Sequence, residues 1–286
     1  MFDPQQYELL DFGEGRRLER FGPLVLDRPC PAAETAARAA PRLWSAADAR
    51  FERGDAEQGQ WTLRGQPPPC WTVAHGAMTL ELKRTDFGHV GLFPEQAKNW
   101  DWIDAQITGR KPHGNGPMKL LNLFAYTGGS TLAAARAGAE VTHVDAARNV
   151  VAWARRNAEL SGLGTAPIRW IAEDAMKFVR RELRRGNRYD ALVLDPPSYG
   201  HGARGEPWQL PRHLPELLAM CAELTVPAPQ FVLLTCHTPG YSPERLRELL
   251  AAAFSAPTGT LHVASLSLWA ATGEILPSGV VASWGV

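Results

Sequence analysis

No stretch of this 286-residue chain approaches the roughly 18 consecutive apolar residues that a membrane-spanning helix needs, so a helical membrane protein is excluded. The chain is expected to be soluble. It also opens without a basic segment followed by an apolar one, so no secretory signal is expected. Cysteine is scarce: Cys30, Cys70, Cys221 and Cys236 lie far apart and form no C-x-x-C pair. That spacing argues against a zinc site and against a disulfide framework, and it fits a reducing, cytoplasmic setting with no metal site. Neither sign of charge is in excess, with 30 basic against 30 acidic residues. The chain therefore lacks the broad positive field of a protein that coats nucleic acid, and any such contact must come from local patches. Internal repeats and low-complexity tracts are missing as well, and the glycines of "NLFAYTGGST" do not form the G-x-G-x-x-G pyrophosphate fingerprint.

What is there divides into two parts. Over residues 1–85 the sequence runs in short alternating pieces, "RLERFGPLVLDRP", "QWTLRG", "CWTVAHG" and "AMTLELKRT", with "QPPPC" as a connector. This reads as a small β-rich N-terminal domain. A polar stretch follows in which a helix is expected from about Glu95, and "RKPHGNGP" then breaks the chain with Gly and Pro. From Met118 onward strand-like and helix-like segments alternate five times, from "MKLLNLFAY" and "STLAAARAGA" to "QFVLLTC" and "SPERLRELLAAAF". Continuous apolar strands alternating with helices imply an α/β fold, a doubly wound and mostly parallel sheet covered on both faces. "TLHVASLSLWA" and "GVVASWGV" read as a closing hairpin. The second domain is placed at residues 86–286.

In such sheets ligands bind beyond the carboxyl ends of the strands, where strand order reverses. The first strand end carries Gly128 and Gly129 in "NLFAYTGGST", which permits close approach of backbone to a ligand. The second ends at Asp145, nineteen residues after Tyr126, where a carboxylate can accept hydrogen bonds from both hydroxyls of a ribose. The third ends in "AEDAM", which puts Asp174 beside the same pocket, within reach of an adenine amino group. Each aspartate precedes a helix, so N-capping is the structural alternative for both. The fourth strand runs into Asp195-Pro196-Pro197; proline has no N–H and keeps its predecessor extended, so the chain must leave the ladder in a set direction. Asp195 and the Pro196 carbonyl can then face the pocket, and Tyr199 can lie against an aromatic ring. A plain turn is the alternative.

These motifs together resemble the class I S-adenosylmethionine-dependent methyltransferases, and within them the bacterial large-subunit ribosomal RNA methyltransferases of the 5-methylcytosine and 7-methylguanine kinds. The resemblance covers roughly residues 80 to 240. "GLFPEQAKNW" is similar to that family's G-x-F-x-D-Q-R-x-N segment, with Glu95 in place of the aspartate and Lys98 near the arginine. The resemblance implies a seven-stranded Rossmann-like sheet, S-adenosyl-L-methionine as cofactor with S-adenosyl-L-homocysteine as product, and ribosomal RNA as partner. It further implies that Phe93 and Gln96 lead into the cofactor site, that Asn122, Phe124, Tyr126, Thr127 and Gly128 line the methionine end, that Asp145 and Ala146 hold the ribose, and that Asp174 and Ala175 hold the adenine. Asp195 and Pro196 would hold a base edge, with Tyr199 stacked on a base that is unpaired or flipped out. The family's RNA-binding module is not recognisable in residues 1–80, which keeps a protein or a small molecule open as substrate.

Cys236 and His237 emerge from the fifth strand in "TCHT", at the same edge as Asp195. Carbon-5 of cytosine is a poor nucleophile until a thiolate adds to carbon-6, and the resemblance implies a cysteine at this strand end, in a motif closer to S-C-S. Cys236 is either that nucleophile, which makes cytosine carbon-5 the target, or a structural thiol, which leaves a base nitrogen. His237 either orients a base or satisfies a local hydrogen bond. The arginines of "RRELRRGNR" read as a solvated helix end, with RNA contact the alternative, and the tryptophans read as core and domain-interface residues, with base-stacking platforms the alternative. Two other function classes share parts of this pattern. A nicotinamide dehydrogenase needs a phosphate-binding glycine pattern where this chain has "YTGGS"; a non-catalytic cofactor-binding module would have no use for Asp195-Pro196-Pro197.

Overall fold

The computed structural model describes residues 1–54, 58–109, 116–201, 207–225, 227–254 and 260–285. Residues 110–115 of the expected Gly/Pro break lie outside them. The chain forms two compact units, one of residues 1–98 with 267–278 and one of residues 99–266 with 279–286.

In the first unit, β1 (Tyr7–Gly13), β2 (Arg16–Phe21), β3 (Leu24–Pro29), β4 (Ala49–Arg53) and β5 (Gly59–Leu63) form a five-stranded sheet in that order. All pairs are antiparallel except β3 with β4, which are joined by a long irregular connection and run parallel. A separate hairpin is made by β6 (Cys70–His75) and β7 (Met78–Lys83), whose alternating burial matches the alternation in their sequence. The connection between β3 and β4 is held by one carboxylate. Asp11 is fully buried and accepts from the Trp44 indole at 2.7 Å and from the backbone N–H groups of Ala39 and Ala40. A buried charge survives only when its lone pairs are used in this way.

The second unit follows the alternation of its sequence. After α1 (Ala97–Thr108) come β8 (Lys119–Leu123), α2 (Gly129–Arg136), β9 (Glu140–Asp145), α3 (Arg148–Leu160), β10 (Ile168–Ala172), α4 (Ala175–Arg184) and β11 (Ala191–Leu194). A short hairpin of β12 (Tyr199–His201) and β13 (Pro207–Gln209) precedes α5 (Leu210–Leu224), β14 (Phe231–Cys236), α6 (Pro243–Ala253), β15 (Thr260–Trp269) and β16 (Ile275–Gly285). The seven-stranded sheet has the order β10-β9-β8-β11-β14-β16-β15. Its first five strands are parallel, and β16 is antiparallel to β14. The expected doubly wound sheet is thus present, with the β12/β13 hairpin as an addition that the turn-rich "PPSYGHG" concealed.

Helix burial shows why these segments fold as they do. In α3 the inward residues are Val151, Trp153, Ala154, Asn157 and Ala158, the i, i+3, i+4, i+7 spacing of one helix face. Strands β11 and β14 are buried along their whole length, as a parallel strand covered by helices must be. All four cysteines are free thiols. Among the described residues, no helix is long and apolar enough to cross a membrane, and no cluster of side chains could hold a metal ion.

Candidate active site

Strand order reverses between β8 and β11, since the chain builds outward from β8 through β9 to β10 and then crosses back to β11. The register aligns Leu123, Leu194 and Leu234 in one row, so Phe124 and Asp195 leave the carboxyl edge next to each other, while β14 runs on through Thr235 and Cys236, paired with β16. Three stretches meet there: the loop after β8, the Asp195 corner after β11 and the end of β14.

The loop after β8 is strained. Phe124 and Tyr126 have φ of 57° and 48°, the left-handed region that bulky side chains rarely enter, and Gly128 follows at 93°. Buried polar contacts hold the loop in place. The Asn122 amide donates to Thr131 Oγ1, which lies 2.9 Å from His143 Nδ1, and the Asn157 amide donates to the Thr127 carbonyl. Asn122 and Thr127 are buried, while Phe124 and Tyr126 are half-buried. Thr131, His143 and Asn157 were not singled out in the sequence; a polar residue on the inward face of an apolar strand or helix was the available signal. Burial pushes His143 down to about 3, so its ring is neutral.

Asp145 ends β9 and turns back under this loop. Its carboxylate accepts from the Tyr126 N–H at 2.9 Å and from the Ala147 N–H at 3.0 Å. Ala147, rather than Asp145, is the residue at the N-cap of α3. Two backbone donors leave a carboxylate, with about four lone-pair sites, room for two more hydrogen bonds. Burial raises its pKa, and the two N–H donors only partly offset that. A desolvated carboxylate below a strained, glycine-containing loop fits a ligand that brings a pair of hydroxyls. Asp174 does cap α4, accepting from the Lys177 N–H at 2.9 Å, and it remains half-buried with Ala175 buried beside it. Capping engages one oxygen of Asp174, so this role and a ligand role are compatible. Ala146 is half-buried next to Asp145.

At the end of β11, Pro196 is buried and the chain turns outward through Pro197 and Ser198. The corner is pinned from outside the strand: the Trp208 indole N–H donates to the Pro197 carbonyl at 2.7 Å, and the Trp208 ring packs on Phe124 at 4.9 Å between centroids. Trp208 thereby ties the Asp195 corner to the loop after β8. Asp195 Oδ1 accepts from Thr235 Oγ1 and lies 3.3 Å from His237 Nε2. Tyr199 is 51% exposed, a large aromatic ring presented to solvent just past the corner. Cys236 is 1% exposed, within the main apolar core. Burial pushes its thiol up and the Asp195 charge adds to this, while hydrogen bonds with Thr238 act the other way.

The remaining candidates are more dispersed. Phe93 and Gln96 belong to the first unit, where Phe93 precedes the single turn Pro94–Gln96 and packs near His89. The arginine run is largely spent on ion pairs, Arg180 with Glu216, Arg181 with Glu173 and Arg185 with Glu182, as a solvated helix end would be. Trp100 lies buried in the core beneath Gly129, and the half-buried Trp102 packs edge-on against Phe231.

Residues 33–265 match the family described as S-adenosylmethionine-dependent methyltransferase. The chain is similar to ribosomal RNA large subunit methyltransferase I of Aeromonas hydrophila, 42% identical over 82 residues that make up 28% of this chain and 21% of that protein. It is also similar to ribosomal RNA large subunit methyltransferase K/L of Shewanella baltica, 31% identical over 163 residues, 56% of this chain and 21% of that protein. The chain thus spans about a fifth of the length of these two curated relatives. Among solved structures it is similar to a SAM-dependent methyltransferase from Agrobacterium tumefaciens, with a TM-score of 0.90 and 38% identity over 98% of this chain and 90% of that one. A putative methyltransferase from Streptococcus mutans shares the fold alone, with a TM-score of 0.77 at 16% identity over 98% of this chain and 75% of that one.

Proposed function

Because the chain belongs to the S-adenosylmethionine-dependent methyltransferase family, we propose that it transfers the cofactor's methyl group to a base of ribosomal RNA, in the cytoplasm. Membership sets aside the dehydrogenase and the non-catalytic readings. Two kinds of ribosomal RNA methyltransferase among the similar proteins support the RNA substrate. The observation that carries it is the exposed Tyr199 ring directly beyond the Asp195-Pro196-Pro197 corner, a stacking surface for a base that has left its helix. The domain reading that goes with this assigns residues 86–286 to the methyltransferase domain and residues 1–85 to a β-rich domain.

Bound S-adenosylmethionine supplies a methyl group already activated on a positively charged sulfur. The protein's own task is to align the target and keep water out. Asp145 would hold the ribose hydroxyls, Asp174 and Ala175 the adenine, and Asn122, Phe124, Tyr126, Thr127 and Gly128 the methionine end. Asp195 and Pro196 would hold the base edge. The burial of Cys236 and its raised thiol pKa favour a base nitrogen over cytosine carbon-5, because addition to carbon-6 needs an accessible thiolate. The test combines Cys236→Ser with RNA containing 5-fluorocytosine. A serine variant that keeps most of its activity, with no covalent RNA adduct in the wild type, is the expected outcome; a trapped adduct lost on substitution would return the target to carbon-5.

A further inference from the structure

Beyond Asp195, whose N–H reaches the Leu123 carbonyl at 3.4 Å, the chain enters Pro196 and Pro197, which have no N–H to give. The corner is held instead through its carbonyls and by side chains from other elements. The Pro197 carbonyl accepts from the Trp208 indole N–H at 2.7 Å, the Ser198 carbonyl accepts from the Leu210 N–H at 3.1 Å, and the Ser198 hydroxyl lies 2.7 Å from the Thr238 hydroxyl. Trp208 is itself well fixed. It stands opposite Gly200 in the β12/β13 hairpin, is 4% exposed, and belongs to the same core as Leu210 and Leu214. Its ring meets Phe124 at 4.9 Å between centroids, where the loop after β8 turns left-handed with φ of 57°. A bulky residue keeps such an angle only where its surroundings over-determine it, and Trp208 is part of those surroundings. Leu123 and Leu194 are ladder partners, so Phe124 and Asp195 leave adjacent strands and Trp208 spans the two exits.

Resting on the site and RNA readings above, we infer that Trp208 is a positioning residue for methyl transfer, setting the corner proposed to hold the target base against the loop proposed to hold the methionine end of the cofactor. It acts through the Pro197 carbonyl on one side and the Phe124 ring on the other. The reaction needs the target atom in line with the methyl carbon and close to it, and a misplacement of about 1 Å can cost about a hundredfold in rate. How the corner and the loop sit relative to each other decides that alignment. The two contacts of Trp208 differ in chemistry, so they can be removed one at a time. Loss of the N–H frees the corner and leaves an aromatic ring against Phe124. Loss of the ring withdraws support from the loop as well. The outcome is a split between turnover and cofactor binding, which a side chain that only fills the core would not produce.

The experiment uses the full chain, methyl-labelled S-adenosylmethionine at saturation and protein-free large-subunit ribosomal RNA from cells lacking the gene. Calorimetry with S-adenosylhomocysteine gives the affinity and the number of cofactor sites, and turnover is expressed per site, so misfolded protein drops out. Trp208→Phe keeps a ring and loses the N–H; its kcat should fall about tenfold or more, with cofactor affinity within about twofold of wild type. Trp208→Leu loses both contacts, and its cofactor affinity should fall as well, by about fivefold, the scale of one aromatic pair. Trp208→benzothienylalanine puts sulfur in place of the N–H in a ring of nearly the same shape, so it repeats the first test with the core still filled. Its kcat should fall as in Trp208→Phe. Wild-type turnover per site in the chains that lack the N–H, or wild-type cofactor affinity in Trp208→Leu, overturns the inference alone. A wild-type protein that binds the cofactor but methylates none of this RNA overturns the RNA reading, and the inference with it.

Discussion

Asp145, proposed to hold the cofactor's ribose, concentrates the relevant physics in one side chain. Its two backbone donors fix the carboxylate, and the lone pairs they leave over are those a ribose would use. Asp145→Ala is expected to weaken cofactor binding by about 1.5 kcal/mol, roughly tenfold, measured by calorimetry. The raised pKa fixes the sign of the pH dependence. Only the ionised form accepts both hydroxyls, and burial makes Asp145 protonate at a higher pH than an ordinary aspartate. Affinity should therefore decline as pH falls, starting at a higher pH than an ordinary aspartate would give, and Asp145→Asn should lack that decline. His143 gives a stability effect of definite direction. Its pKa is pushed down to about 3 by burial, whereas an unfolded histidine titrates near about 6.5. Below that ordinary value the unfolded chain binds a proton that the native state refuses, so stability drops as pH falls from about 6.5 towards 3, by up to about 1.4 kcal/mol per pH unit. Denaturant midpoints taken across that range should show a shallower slope in His143→Gln.

Among the elements, the turn from β8 into α2 has geometry that leaves little slack. Phe124 and Tyr126 hold left-handed backbone angles, and the first residue of α2, Gly129, lies directly on Trp100. A Cβ at 129 would be 2.3 Å from Trp100 Cζ2, and Trp100 is 5% exposed, so the indole has nowhere to move. Gly129→Ala is expected to cost about 1–3 kcal/mol by overpacking, read as a lowered Tm. Because the same turn carries residues proposed to line the cofactor site, cofactor affinity should fall with it. A variant as stable as the parent would show that the indole can rotate aside. The β12/β13 hairpin is the other element tied to the site, through the hydrogen bond from Trp208 to Pro197 and the ring contact from Trp208 to Phe124.

At the scale of the whole molecule, the notable feature is that the first compact unit includes residues 267–278 from far along the chain. Within it the Ala271 N–H donates to the Leu9 carbonyl at 2.7 Å, and Leu276 is fully buried. A polypeptide ending at Lys98 would leave Leu9, 1% exposed in the complete chain, without this cover. It should bind a hydrophobic dye and unfold at a lower denaturant concentration than the same unit does in the full chain. Supplying residues 267–278 on a short linker should reverse part of that loss. Equal stability of the truncated and full chains would make the returning segment dispensable.

The sequence by itself determined the α/β class, the five alternations of strand and helix, the closing hairpin and the strand ends where Asp145, Asp174 and Asp195 stand, because these follow from local periodicity and from the backbone limits of glycine and proline. The fate of single side chains at those ends was beyond it. Only tertiary structure decided that Asp174 caps a helix while Asp145 does not, that the Cys236 thiol is buried in the core, that Trp208 holds the Pro197 carbonyl, and that His237 faces Asp195 across neighbouring strands. Each of these depends on which strands become neighbours and in what register, and residues 195 and 237 are separated in the chain by the β12/β13 hairpin, α5 and β14. Periodicity reports which way a side chain points along its own element, whereas burial, pairing and pKa are set by what another element brings opposite it.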